Sequence, residues 1–333
     1  MTNDSEQPPR VLITTVPFAE ENALPREMMN EAGIPYLVNP IGRKLKEKEL
    51  IEMVRPFEVI IAGTEPITAA VMDSAPNLRF ISRVGIGLDG VDLLAARERG
   101  IAVSYTPDAP SPAVAELTIG LMISLLRSVH VSNTQMRAGK WHRYFGRRIA
   151  NTTIGIIGLG RIGTRVLNRL AAFGTPRLLA NDILPNYELD RRFKLEWVTK
   201  EVIYQEADII TLHLPLTGKT YNMIRQEELK MMKEDAIVIN TSRGGIINEN
   251  DLYEVMLQGH LAGAAIDTFE QEPYNGALCE IDRCLLTAHM GSMSKDCRER
   301  MEIEATEEAI RFLNNGEQEG AVPDAEYEVQ LGL

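Results

Sequence analysis

The chain alternates between short apolar runs and longer amphipathic stretches, the pattern of a parallel sheet covered on both faces by helices. Its first part supplies apolar runs at 11–16, 59–62, 80–83 and 101–104, with a polar helix predicted over 24–32. Pro107, Pro110 and Pro112 then punctuate a loop, and helical spacing continues over 113–138. Pro112 suits a first helical turn, where its missing N–H would have no partner anyway. The most apolar stretch, 117–126, sits between Glu116 and Arg127 and reads as a buried helix. At about ten residues it falls short of the roughly 20 that span a bilayer.

A second series of runs follows at 153–157, 177–181, 208–212, 236–240, 263–266 and 284–287. Six strands alternating with helices predict a doubly wound α/β sheet. Helical period returns over 296–315, and the tail from Gly316, with its Gly, Pro and acids, is expected to be loosely held.

A length of 333 residues predicts two domains. The formal net charge of −12 argues against nucleic acid and against anionic membrane surfaces as partners. The three cysteines, Cys279, Cys284 and Cys297, form no CxxC pair, and their odd number disfavours a disulfide framework. With a polar N-terminus that lacks an apolar signal core, they point to a reducing, cytoplasmic location. No metal-ligand spacing stands out.

The stretch Ile156-Ile-Gly-Leu-Gly-Arg-Ile-Gly163 contains GxGxxG between a predicted strand and a predicted helix over 164–173. In that context each glycine serves a different purpose. Gly158 allows the tight turn, Gly160 the approach of a pyrophosphate, and Gly163 close helix–strand packing. The helix N-terminus adds N–H donors and a positive dipole end. Asp182 stands nineteen residues after Gly163, where a carboxylate accepts hydrogen bonds from the adenosine ribose. No arginine follows in 183–186 to receive a 2′-phosphate, so NAD is expected over NADP.

Beyond this loop the chain resembles the D-isomer-specific 2-hydroxyacid dehydrogenase family, above all its phosphoglycerate dehydrogenase branch. The likeness runs from about residue 59 to 315. It is carried, in order, by Ser82-Arg-Val-Gly-Ile-Gly-Leu-Asp-Gly-Val-Asp92, Ala113-Val-Ala-Glu-Leu117, the glycine loop, His213-Leu-Pro-Leu-Thr217, Ile239-Asn-Thr-Ser-Arg-Gly-Gly245, Ala265-Ile-Asp-Thr-Phe-Glu-Gln-Glu-Pro273 and Leu286-Thr-Ala-His-Met-Gly291. The resemblance implies a Rossmann NAD domain, 108–295, inserted into a smaller flavodoxin-like substrate domain made of 1–107 and 296–333. It also implies a homodimer formed through the helix from about residue 113.

The same resemblance implies a catalytic set of Arg243, Glu272 and His289. The residue types suit the chemistry: an imidazole moves the hydroxyl proton as hydride leaves carbon, a carboxylate favours its protonated form, and a guanidinium grips a carboxylate and an adjacent carbonyl oxygen. For the cofactor the family pattern adds Arg161 and Ile162 at the pyrophosphate, and His213, in a loop approaching the adenine, with Pro215 and Thr241. Asp267 would bind the nicotinamide carboxamide. For the substrate it implies backbone N–H groups of Gly85, Ile86 and Gly87 at the carboxylate, and Arg83 and Arg143 at a phosphate. A further arginine expected after the run at 59–62 is absent, and Ala288 replaces the usual proline before His289. The chain is also shorter than family members with regulatory domains, so serine feedback is not expected.

The function implied is hydride transfer between NAD and a small D-2-hydroxy acid or its 2-keto partner, with 3-phosphoglycerate-like substrates included. Reduction of glyoxylate or hydroxypyruvate is the alternative within enzymes. The family's C-terminal binding proteins, corepressors that sense NADH, are the alternative outside them.

Overall fold

The computed structural model describes residues 8–174 and 176–331. Most of the polar N-terminal stretch, residues 1–7, and the last two residues of the tail lie outside the described residues. The chain divides into two compact units: residues up to Pro110 together with those from Met293 onward, and Ser111–Ser292.

The first unit holds five parallel strands, β1 (Val11–Ile13), β2 (Tyr36–Val38), β3 (Val59–Ala62), β4 (Phe80–Arg83) and β5 (Ala102–Tyr105). Their order is β2-β1-β3-β4-β5, a flavodoxin-like arrangement whose topological switch lies between β1 and β3. β1, β3 and β4 are buried along their whole length, which is why β1 and β3 read as continuous apolar runs, while β4 buries Ser82 and Arg83 after Phe80 and Ile81. β2, Tyr-Leu-Val at the sheet edge, is not among the predicted runs.

The C-terminal helix Lys295–Asn315 returns to this sheet: the Phe312 ring stacks on Phe80 at 4.4 Å, and the Ser82 hydroxyl donates to the Ala305 carbonyl at 2.8 Å. The tail is tied down, contrary to the expectation of a loose end. Ala321 bridges Ser104, and the helix Asp324–Gln330 ends on Gln330, whose amide oxygen accepts from the Leu93 N–H at 2.9 Å and whose amide nitrogen donates to the Val91 carbonyl at 2.7 Å. Composition alone signalled looseness; these specific hydrogen bonds, invisible to composition, offset it.

The second unit holds β6 (Thr153–Ile157), β7 (Arg177–Asn181), β8 (Leu195–Trp197), β9 (Ile209–Leu212), β10 (Ile237–Asn240), β11 (Gly263–Ile266) and β12 (Cys284–Leu286). All pair in parallel, in the order β12-β11-β10-β9-β6-β7-β8. This is the doubly wound Rossmann arrangement with seven strands rather than six. The additional one, β8, is a three-residue edge strand, Leu-Glu-Trp, without a legible pattern. The chain leaves β6 in one direction through β7 and β8, then restarts on the other side at β9. Ligands of such sheets bind outside the carboxyl ends at that switch.

The single helix predicted over 113–138 is two helices, Ser111–Leu126 and Val129–Arg137, bent by 63°. Ser128, with φ +50°, makes the break. The first helix is buried along most of its length, whereas the second buries no residue. No single helix among the described residues is long and apolar enough to cross a membrane.

Candidate active site

The glycine turn follows β6 at the switch of the second unit's sheet. Gly158 adopts φ +92°, and a Cβ there would lie 2.3 Å from the His213 carbonyl oxygen. A Cβ on Gly163 would lie 2.0 Å from the Gly158 carbonyl oxygen. Both positions are closed to any side chain. Gly160 is the opposite case: it precedes the helix Arg161–Leu170, its φ of −69° is ordinary, and a Cβ there would meet nothing within 4 Å. The turn is therefore tight where the backbone folds on itself and open above the helix N-terminus, as a pyrophosphate-binding turn requires. Arg161 and Ile162 open that helix.

Asp182 lies directly after β7. One carboxylate oxygen accepts from the Leu159 N–H at 2.6 Å and the other from the Leu184 N–H at 2.9 Å. These bonds aim the carboxylate at the glycine turn and leave acceptor sites for a ribose. His213 opens the loop that follows the strand β9. Its imidazole lies beneath Gly163, its Nε2 is 3.0 Å from the Thr211 hydroxyl, and burial pushes its pKa down to about 3, so it is neutral. Pro215 is exposed in the same loop. Thr241 is buried with its hydroxyl 2.9 Å from that of Thr118, so its side chain faces the helix Ser111–Leu126.

Arg243, Glu272 and His289 stand just past the carboxyl ends of the adjacent strands β10, β11 and β12. Asn240, the last residue of β10, builds the first loop: its amide donates to the Arg243 carbonyl at 2.8 Å and its amide oxygen accepts from the Ser242 hydroxyl at 2.8 Å. Arg243 is partly buried, with Nη1 donating to the Ser242 carbonyl at 2.7 Å. A Cβ on Gly244 would fall 2.0 Å from the Phe269 carbonyl carbon, so this loop abuts the one that carries Glu272. The Phe269 N–H in turn donates to Glu272 Oε1 at 3.1 Å.

Nδ1 of His289 lies 2.9 Å and 3.1 Å from the two Glu272 oxygens. Because an ionised carboxylate only accepts, Nδ1 carries the hydrogen and Nε2 is left for a ligand. Both side chains are about one-third exposed, 38% for His289 and 32% for Glu272, so the pair is reachable from solvent. The other histidines have bland surroundings: His130 and His260 meet the Asp282 and Leu229 carbonyls, and His142 packs edge-on to the Tyr144 ring.

Asp267 does more than the sequence indicated. Its carboxylate, on a residue 1% exposed, accepts from the Thr287 hydroxyl at 2.5 Å, the Met290 N–H at 2.8 Å and the Gly291 N–H at 2.9 Å. Its carbonyl accepts from the His289 N–H at 2.8 Å, and its own N–H donates to the Asn240 carbonyl at 3.0 Å. His289 has φ +50°, an uncommon conformation outside glycine. Asp267 thus holds the bent segment that presents the imidazole. Of about four acceptor sites on an ionised carboxylate, three are filled, which leaves one for a carboxamide. No sequence signal separates this role from a cofactor contact.

The substrate candidates of the first unit sit at the carboxyl end of its sheet. Arg83 is buried and its Nη1 donates to the Val84 carbonyl. Gly85 adopts φ +133°, its N–H donates to the Thr106 hydroxyl at 2.8 Å, and its carbonyl accepts from the Thr106 N–H at 3.1 Å. The N–H groups of Ile86 and Gly87 are then the loop's candidate donors, two instead of the three expected. Arg143 lies in the second unit on an exposed segment with Trp141 at 80% and Phe145 at 105% exposure.

The family model for the NAD binding domain of D-isomer specific 2-hydroxyacid dehydrogenases matches residues 119–291. The chain is 34% identical over 276 residues to a hydroxypyruvate reductase of Thermotoga maritima, covering 81% of this chain and 89% of the relative. It is 37% identical over 264 residues to a D-3-phosphoglycerate dehydrogenase of Methanocaldococcus jannaschii, covering 78% of this chain and 50% of the relative. Among solved structures, a glyoxylate reductase from Paecilomyes thermophila superposes with a TM-score of 0.82 at 27% identity, covering 96% of this chain and all of that one.

The two kinds of glycine predict two kinds of failure. Gly160→Ala should leave urea stability within about 0.5 kcal/mol of the parent while weakening NADH binding at least tenfold in a fluorescence titration. Gly163→Ala should lower both. Equal NADH affinity in Gly160→Ala and the parent would refute the pyrophosphate reading.

Proposed function

Because this chain belongs to the D-isomer-specific 2-hydroxyacid dehydrogenase family, we propose that Arg243, Glu272 and His289 carry out its hydride-transfer chemistry with NAD. The chain is an NAD(P)-dependent oxidoreductase acting on the CH–OH group of a small D-2-hydroxy acid or the matching 2-keto acid. The single observation that carries the residue assignment is the 2.9 Å contact between His289 Nδ1 and Glu272, beside the loop of Arg243.

Bound nicotinamide dinucleotide supplies or receives the hydride. In the reductive direction His289 delivers a proton from Nε2 to the carbonyl oxygen; in the oxidative direction it removes the hydroxyl proton. Glu272 fixes the ring through Nδ1 and stabilises the imidazolium. The fork of Arg243 holds the substrate carboxylate and stabilises charge on the neighbouring oxygen. Gly158, Gly160, Gly163, Arg161 and Ile162 form the pyrophosphate turn. Asp182 binds the ribose and sets the preference for NAD, because its carboxylate repels a 2′-phosphate. Asp267 offers its remaining acceptor site to the carboxamide.

The same reading makes the enzyme a cytoplasmic homodimer. Support for the dimer comes from the helix Val129–Arg137, in which no residue is buried and Val129 and Met136 are each 50% exposed, followed in the chain by the exposed Trp141 and Phe145. The relatives' names extend the substrate range from glyoxylate and hydroxypyruvate to phosphoglycerate.

His289→Ala should reduce kcat for NADH-dependent glyoxylate reduction by about 10²–10⁴-fold while NADH affinity stays within a factor of about three. Undiminished turnover would remove His289 from the mechanism. Asp182→Ala should lower the ratio of kcat/KM for NADH over NADPH by at least about tenfold; a ratio that stays put would deny the ribose role.

A further inference from the structure

The first unit carries a buried carboxylate that the site described above does not use. Glu65 is 2% exposed and follows β3 at the carboxyl end of the sheet. Its Oε1 accepts from the Thr14 hydroxyl, after β1, and from the Gly63 N–H at 2.9 Å. These two neutral donors are its hydrogen-bond partners, and no Lys, Arg or His nitrogen among the described residues lies within ion-pair distance, 4.0 Å, of its carboxylate. A carboxylate buried without a cation is costly to fold around, which makes it a candidate for a functional role.

Its position gives that role a direction. Glu65 and Thr14 join across the β1–β3 switch, where open sheets of this order receive ligands. A Cβ on Gly63 would lie 2.7 Å from Glu65 Oε2 and 2.9 Å from the Thr15 Cα, so the two loops close directly over the carboxylate. The Glu65 segment also runs beside the Gly85–Gly87 loop and is laced to its strand and its far end. The Val84 N–H donates to the Ala62 carbonyl at 2.9 Å, and the Ile67 N–H donates to the Gly90 carbonyl at 2.7 Å. This sheet end presents Arg83 and also Arg298, which donates to the Thr15 hydroxyl at 2.8 Å but is paired with Glu302 at 2.5 Å; Glu65 adds a negative charge that no cation among the described residues pairs.

We propose that Glu65 is a specificity-determining residue that turns away substrates with an anionic tail, so that the enzyme takes 2-keto acids with uncharged tails and discriminates against phosphorylated ones. The inference rests on the proposed 2-hydroxyacid chemistry and on the substrate role of the Gly85–Gly87 loop. A phosphate monoester carries about −1.5 to −2 charges at neutral pH, so a fixed carboxylate beside its path is a like-charge element that works against it. The residue acts through its charge and need not touch the substrate.

The test compares kcat/KM for hydroxypyruvate and 3-phosphohydroxypyruvate with NADH in the full chain, in Glu65→Gln and in Glu65→Asp. The parent should prefer the unphosphorylated acid by on the order of 100-fold. Glu65→Gln, which keeps shape and removes charge, should raise the phosphorylated-to-unphosphorylated ratio by about tenfold, mostly through KM, which corresponds to about 1.4 kcal/mol. Glu65→Asp should restore the parental ratio. A general loss of activity cancels in the ratio, so an unchanged ratio in Glu65→Gln overturns the proposal, as does a parent without preference.

If the parent turns over neither acid, the proposed chemistry fails separately. Calorimetric binding of 3-phosphoglycerate against glycerate, with NADH present, then decides the role of Glu65. A gain of about tenfold for the phosphorylated ligand in Glu65→Gln supports it, and no gain refutes it.

Discussion

The candidate site depends on one buried carboxylate. Asp267 gathers the end of β10 through the Asn240 carbonyl, and the segment after β12 through the Thr287 hydroxyl and the N–H groups of His289, Met290 and Gly291. Buried charge is tolerated only where hydrogen bonds replace water, and three donors to one carboxylate meet that condition. In return the donors are fixed. The segment they belong to bends through a left-handed residue, and that residue is His289. A side chain held in a strained backbone by its surroundings keeps one orientation, which suits the proton-donor role proposed for His289.

Sheet topology explains why the rest of the chemistry collects at the same end. Parallel strands all present their carboxyl ends to one side, so loops far apart in sequence become neighbours. Arg243, Glu272 and His289 follow three adjacent strands, whereas the glycine turn and Asp182 follow β6 and β7 across the switch. Besides their side-chain hydrogen bonds, these loops meet backbone to backbone at Gly244 against Phe269 and at Gly158 against His213. Glycine is required at those points because no side chain fits between the two main chains.

Much of this was legible in the sequence because it rests on local signals. Buried parallel strands leave unbroken apolar runs, and a glycine turn between strand and helix followed by an acid nineteen residues later is a local pattern with a mechanical cause. What stayed hidden was non-local or very short. β2 and β8, three-residue strands at the edges of their sheets, escaped the reading, although β1 and β12 are as short. The break at Ser128 arises without glycine or proline, where a buried helix meets an exposed one. The Thr118–Thr241 hydroxyl pair, the Thr106 bond that occupies Gly85, the docking of Gln330 and the burial of Glu65 all join residues from different elements. The His213 ring is the instructive case: its motif places it in the loop after β9, but which way the imidazole turns is decided by packing under Gly163.

The most direct test of the account is a double-mutant cycle on the single-turnover rate of NADH oxidation by glyoxylate, built from Asp267→Ala and His289→Ala. If Asp267 serves catalysis by holding His289, Asp267→Ala alone should slow the step by on the order of 100-fold, and adding it to His289→Ala should cost no more than about threefold further. Losses that simply multiply would contradict the account, because they would mean that Asp267 and His289 act independently.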